Sequence, residues 1–172
     1  MQIRQLQVYC ENIQDRLILR IATPVNEEFR VYFTRRFLRE LWPHLRAMLA
    51  GHLATTPPPA AVSETLATQE HGPSFDEPFR EDNPTYPLGT TPLLASEASL
   101  VATGPGMARL TVSEARERSL NINLNADLMQ ALCAMLRASA EKANWDLILD
   151  DTQPDPTSLI GPSSNDKPHL LH

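Results

Sequence analysis

The chain is poor in cysteine, glycine, lysine and aromatic residues, and each shortage closes off a class of chemistry. Two cysteines in 172 residues, Cys10 and Cys133, cannot build a disulfide framework or a zinc site, so both are expected as buried thiols outside any disulfide. Six glycines include no phosphate-cradling loop; Gly104-Pro105-Gly106 is too short and precedes a strand, so it reads as a turn. No apolar run approaches the roughly 20 residues of a membrane span, and "MQIRQLQVYC" lacks the apolar stretch of a secretory signal. The expectation is a cytoplasmic protein without a membrane partner.

Catalytic signatures are missing too. No serine lies in a nucleophile elbow, and His44, His52, His71, His169 and His172 are scattered without metal-ligand spacing. His44 falls on the core side of a helix and is expected as a partly buried, satisfied histidine. Adjacent Glu27 and Glu28 point to opposite sides of a strand or turn, so they read as hairpin-turn charges and not as an acid–base dyad. No catalytic residue, metal ligand or cofactor site is therefore assigned.

Proline is what the chain has in excess, 15 in all, and it is unevenly placed. Residues 1–50 carry eight Arg against five acids, whereas residues 51–100 carry one Arg against seven. The net charge of −6 thus resides in the middle and the tail, while the first folded part is mildly basic. Residues 54–96 hold eight prolines and no sustained periodicity, and are expected as a disordered acidic linker. Residues 151–172 are expected as a disordered tail. The linker contains Asn83-Pro84-Thr85-Tyr86, a turn signal, and apolar islands at Phe75, Phe79, Tyr86, Leu93 and Leu94. It is either a solvated spacer or a segment that lies across the Arg-rich surface and competes with an anionic ligand.

The rest of the chain states one pattern twice. Phe29, Val31 and Phe33 alternate as a half-buried strand, and so do Leu120, Ile122 and Leu124. Thr34 and Asn125 follow as N-caps. The period then changes from 2 to about 3.6, with Phe37, Leu38, Leu41 and Leu45 matching Leu128, Met129, Leu132 and Leu136. Upstream, "RLILRI" at Arg16 matches "RLTVSE" at Arg109 with a shorter loop, and Leu6, Val8 and Cys10 find a counterpart in "SLVAT" at Ser99. The first helix is expected to end near Gly51 and the second near Asn144, Pro43 to kink or break the first, and "WDLIL" from Trp145 to add a closing strand. The predicted fold is α+β: pseudo-repeated βββα units at 1–53 and 97–150 sharing one core, as an antiparallel sheet with helices packed on one face. A unit of about 45 residues buries too little surface to stand alone.

Two surfaces are candidates for binding. Alternation places Gln5, Gln7, Tyr9, Arg20, Arg30 and Tyr32 on the outward face of the first unit, where rings stack and guanidinium groups pair with anions. The plainer reading is a solvated face with Arg–Glu pairs across strands. Arg35 and Arg36 follow the Thr34 cap, where cations oppose the helix dipole, which suggests an anion site at that helix start. The plainer reading pairs Arg36 with Glu40.

The block "DRLILRI...EEFRVYFTRRFLRELWP" resembles a group of uncharacterised small bacterial proteins, which implies a bacterial source and no particular activity. In architecture, paired β-rich units each closed by a helix are similar to PUR and Whirly single-stranded nucleic-acid binders, although those have four strands per unit. The reading that follows is a non-catalytic protein-interaction or adaptor module, with the Arg/Tyr face or the apolar islands of the linker engaging a protein partner. A single-stranded nucleic-acid binder using the Arg/Tyr face is the alternative, and a small-ligand enzyme with a pocket between the halves is third. A homo-oligomer is left open.

Overall fold

The computed structural model describes residues 1–55, 79, 83–115 and 117–149, with the backbone alone at 52–55. The expectations for 151–172 and for residues 56–78 and 80–82 of the linker lie outside the described residues. The elements are β1 (Gln5–Glu11), β2 (Arg16–Ala22), β3 (Glu28–Phe33), α1 (Arg35–Thr55), β4 (Leu93–Leu94), β5 (Glu97–Gly104), β6 (Met107–Glu114), β7 (Arg118–Asn125) and α2 (Ala126–Lys142). The protein is α+β, with two sheets and two helices among the described residues. Among the described residues no helix is long and apolar enough to cross a membrane.

The single sheet expected from the sequence is instead two: β1-β2-β3-β4 and β5-β6-β7. Antiparallel ladders β1–β2 and β2–β3 set Leu6, Ile21 and Phe29 in one row, Val8, Leu19 and Val31 in the next, and Cys10, Leu17 and Phe33 in a third. The second sheet repeats the scheme with Ala98, Val112 and Leu120, then Leu100, Leu110 and Ile122, then Ala102, Ala108 and Leu124. With Phe33 set against Leu124, Leu17 therefore stands opposite Ala108, and no gap separates the two hairpins. The sequence alignment of Arg16 with Arg109 was two residues out of register, a slip that preserves the buried face because the strand period is two.

Both caps form. The Phe37 amide donates to Thr34 Oγ1 at 3.2 Å, and the Leu128 amide to Asn125 Oδ1 at 2.8 Å. Helix α2 ends at Ala143 in a Schellman motif: Asn144 has φ +52°, its amide reaches Glu141 O at 3.0 Å, and the Trp145 amide reaches Ala140 O at 3.0 Å. That reversal explains why 145–149 is not the closing strand expected. Trp145 packs back into the core, and its indole N–H donates to Asp15 Oδ1 at 2.7 Å.

Helix α1 runs unbroken through Pro43 and past Gly51 to Thr55, so neither the expected break nor the expected cap is there. Pro43 deprives the Arg39 carbonyl of its helical donor, but both residues are exposed and water can replace the lost bond. His44 is exposed, not on the core side; Leu41, Trp42, Leu45 and Leu49 take that side. Cys133 is buried and Cys10 half-buried, and neither forms a disulfide.

The helices tie the halves together. Helix α2 approaches β1 and β2, α1 approaches β5, and the two helices touch each other. Ser139 Oγ on α2 donates to Val8 O on β1 at 3.1 Å. One cluster of buried residues extends through both sheets and both helices. The stretch 83–95, expected within the linker, is partly built into the first sheet, since Leu93 and Leu94 run parallel to Val31 and Tyr32. Because Pro43 is exposed in an otherwise regular helix, Pro43→Ala is expected to raise the unfolding free energy by about 1–3 kcal/mol in urea denaturation. An unchanged midpoint would mean that the Arg39 carbonyl costs nothing.

Candidate anion- or partner-binding face

The buried rows of the first sheet dictate its opposite face, where β2 and β3 set Arg20 directly across from Arg30. Like charges so placed repel. Glu28, two residues before Arg30 on the same face, resolves the conflict. Its Oε1 accepts from Arg20 Nε at 2.8 Å and from Arg30 Nε at 2.7 Å, and its Oε2 from Arg20 Nη2 at 3.1 Å. Glu28 is 2% exposed, so the hairpin-turn charge expected there is in fact the buried hub of an ion triad whose arginines are half-buried. Burial alone would push its carboxyl pKa up, but the hydrogen bonds and charges of Arg20 and Arg30 outweigh that and hold it below the ordinary value.

What covers the triad is the chain itself. The Glu28 amide donates to Thr85 O at 2.8 Å, and the Thr85 amide to Asn26 O at 2.9 Å, a parallel bridge that lays the Asn-Pro-Thr-Tyr stretch beside β3. The Tyr86 ring lies 4.3 Å from the Arg30 guanidinium carbon, and Arg30 Nη2 donates to its hydroxyl. The Phe79 ring lies 4.0 Å from the Arg20 guanidinium carbon. A cleft of about 380 Å³ remains, lined by Arg20, Glu28, Arg30, Asn83, Pro84 and Tyr86.

The other expected residues do not join this cluster. Tyr32 lies under Arg16, with 5.1 Å between guanidinium carbon and ring centre. Burial, then the hydrogen bond to Glu11, raises the pKa of its hydroxyl. Tyr9 is exposed. Arg35 pairs with Asp15, Nε to Oδ2 at 2.8 Å, and its guanidinium carbon lies 5.6 Å from the Trp145 ring. Hydrogen bonds from Arg35 and then Trp145 keep the Asp15 carboxyl below its usual range. Arg36 pairs with Glu40 at 3.1 Å. The two cations at the start of α1 thus each have a carboxylate of their own.

Sequence reasoning missed Glu28, Asn83 and Pro84 as parts of this face. Alternation alone places Glu28 beside Arg30, and a segment lying across the Arg-rich surface was one of two readings of the stretch that holds the Asn-Pro-x-Tyr turn; where on β3 it pairs was not legible. A second hollow of about 650 Å³ lies between α1 and β5, lined by Leu41, His44 and Met48 opposite Leu100, Ala102 and Gly104. Among the described residues no three His, Cys, Asp or Glu side chains are grouped to hold a metal ion.

The triad sets an acid limit on stability. A carboxyl whose folded pKa is depressed stabilises the fold above its unfolded value, near 4.5, and that contribution is lost as pH falls through the folded pKa. Glu28→Gln is expected to lower the unfolding free energy at pH 7 by about 1–3 kcal/mol, since it removes the carboxylate that bridges two partly buried arginines. It should also flatten the decline of wild-type stability below pH 4.5, measured by urea denaturation between pH 3 and 7; a parallel decline in both proteins would assign the acid sensitivity to other groups. Comparisons of the chain with protein-family models, with curated proteins and with solved structures return no match.

Proposed function

We propose that this chain is a non-catalytic protein-interaction module of the bacterial cytoplasm, which engages a partner through the outer face of its first sheet. The observation that carries the reading is that Arg20 and Arg30, bridged by Glu28, already hold two aromatic rings supplied by a peptide segment. A guanidinium group offers a flat face to a ring and N–H edges to a carboxylate, and this face uses both. The module is taken to be two pseudo-repeated βββα units around one core. The gap-free match of rows from Leu17 against Ala108 to Phe33 against Leu124 supports that, as do the matching caps Thr34 and Asn125.

The nucleic-acid alternative draws on the same stacking, since bases present rings as readily as Phe and Tyr do. Its weakness is charge: Glu28 offsets one of the two arginines on the face. Fluorescence anisotropy decides between them. The intact protein is expected to bind an acidic peptide with two aromatic residues, with little change between low and moderate salt. A labelled single-stranded oligonucleotide should bind weakly or not at all. Oligonucleotide binding that exceeds peptide binding, falls by about 0.7 log unit per log unit of salt for each phosphate contacted, and vanishes in Arg20→Ala/Arg30→Ala would overturn the reading.

A further inference from the structure

The segment that occupies the Arg20–Glu28–Arg30 face is held unevenly along its length. Its downstream end is fastened. Arg118 Nη1 donates to the carbonyls of Leu88 at 2.9 Å and Thr91 at 2.8 Å, and Nη2 to that of Pro92 at 3.3 Å. Leu93 is fully buried and pairs with Val31, and the Ala95 amide donates to Tyr32 O at 3.0 Å.

Upstream the attachment is slight. Besides the two backbone bonds at Thr85, the described part of 83–87 is held by long bonds from Thr85 Oγ1 to Asn26 O at 3.3 Å and from Asn26 Nδ2 to Asn83 O at 3.4 Å, and by Arg30 Nη2 on the Tyr86 hydroxyl, while Asn83, Thr85 and Pro87 are exposed. The Phe79 and Tyr86 rings are only half-buried over their arginines. Gly89 separates the two regions at φ +89°, with its amide donating to Tyr86 O at 2.9 Å. That conformation suits glycine and marks a turn about which the upstream part can leave while the Arg118 anchor stays.

Resting on the interaction reading above, we infer that Phe79 and the stretch 83–87 are an intramolecular stand-in for the partner. The partner is then an acidic segment of another protein carrying two aromatic residues at similar spacing, and it binds by displacing Phe79 and Tyr86 from Arg20 and Arg30. The chemistry follows from the groups left over. Glu28 occupies the Nε edges of both guanidinium groups, so a ligand must supply rings for their faces and an oxygen for the Arg30 Nη2 that Tyr86 now satisfies. In sequence alone, the stretch from Phe79 to Tyr86 carries Glu81 and Asp82 against Arg80, a net charge of −1. Occupancy in cis lowers the apparent affinity for an external segment by the fraction of time the face is open.

The test uses the full chain and a fluorescein-labelled synthetic peptide with the sequence of residues 75–90, followed by anisotropy at moderate salt. Phe79→Leu/Tyr86→Leu keeps the apolar bulk and removes the ring faces, and unchanged amide exchange in β6 and β7 certifies its fold. This variant is expected to bind the peptide at least about ten-fold more tightly than the wild type, since two ring–guanidinium contacts no longer compete in cis. The gain should disappear when Arg20→Lys/Arg30→Lys is added, and with a peptide whose aromatic residues are all replaced by leucine. Equal peptide affinity of wild type and variant overturns the cis competition and leaves the interaction module standing. Absence of peptide binding by the variant overturns the inference, and oligonucleotide binding in the same assay removes the interaction reading with it.

Discussion

Register is the constraint on which the outer face depends. A strand has a side-chain period of two, so the rows of Leu17, Leu19 and Ile21 against Phe33, Val31 and Phe29 leave Arg20 no choice but to face Arg30. A slip of one residue would expose five apolar side chains that are now fully buried, Leu17, Leu19, Ile21, Val31 and Phe33. At about 1.5–3 kcal/mol each, that cost far exceeds the repulsion between two guanidinium groups. The core therefore imposes the arginine pair, and Glu28 and the two aromatic rings are the local response. A carboxylate reached by both Nε atoms converts a repulsive pair into a triad of net charge +1.

The connection between halves rests on fewer contacts than the sheets do. Helix α2 is anchored to the first sheet by Ser139 against the Val8 carbonyl and, just past its C-terminus, by Trp145 against Asp15. Asp15 in turn accepts from Arg35 at the start of α1, so one carboxylate in the β1–β2 turn links the beginning of α1 to the end of α2. Arg35 stands where the helix dipole disfavours a cation, and Asp15 sets an opposing charge beside it. Helix α1 approaches β5 less closely filled, because Ala98 and Ala102 stand where the first sheet has Leu6 and Cys10. Small residues there leave the hollow beside Leu41 and Met48.

What was legible in the sequence was local. Caps at Thr34 and Asn125 and the alternation of both hairpins could be read because a cap or a strand face is decided within a few residues. Pro43 could not be judged the same way: its tolerance depends on which side of the helix meets water. Trp145 was misplaced because a Schellman turn at Asn144 competes with continuation as a strand, and the tertiary bond to Asp15 decides between them. That the segment lies across the Arg-rich surface was one of two readings the sequence left open, but the pairing of Thr85 and Leu93 with β3 could not be placed, since two short pairings in a proline-rich stretch have no periodicity to detect. Glu28 was misjudged for a related reason. Its burial depends on a segment more than fifty residues further along the chain.

The pairing pattern of the arginines argues for peptide over phosphate recognition. Arg20 and Arg30 share Glu28, Arg35 has Asp15 and Arg36 has Glu40, so a polyanion would have to compete with a carboxylate at every one of them. Counterion release, the main source of affinity for nucleic acid, is small where the protein's own acids already serve as counterions. Displacing Phe79 and Tyr86 leaves those ion pairs intact and exchanges ring for ring. Such an exchange is nearly balanced in enthalpy, which makes the effective concentration of the tethered segment the deciding quantity, at about millimolar for a short flexible connection. A partner of the kind proposed would have to exceed the tether through contacts the stand-in lacks, and the cleft beside Asn83 and Pro84 is where the face has room for them.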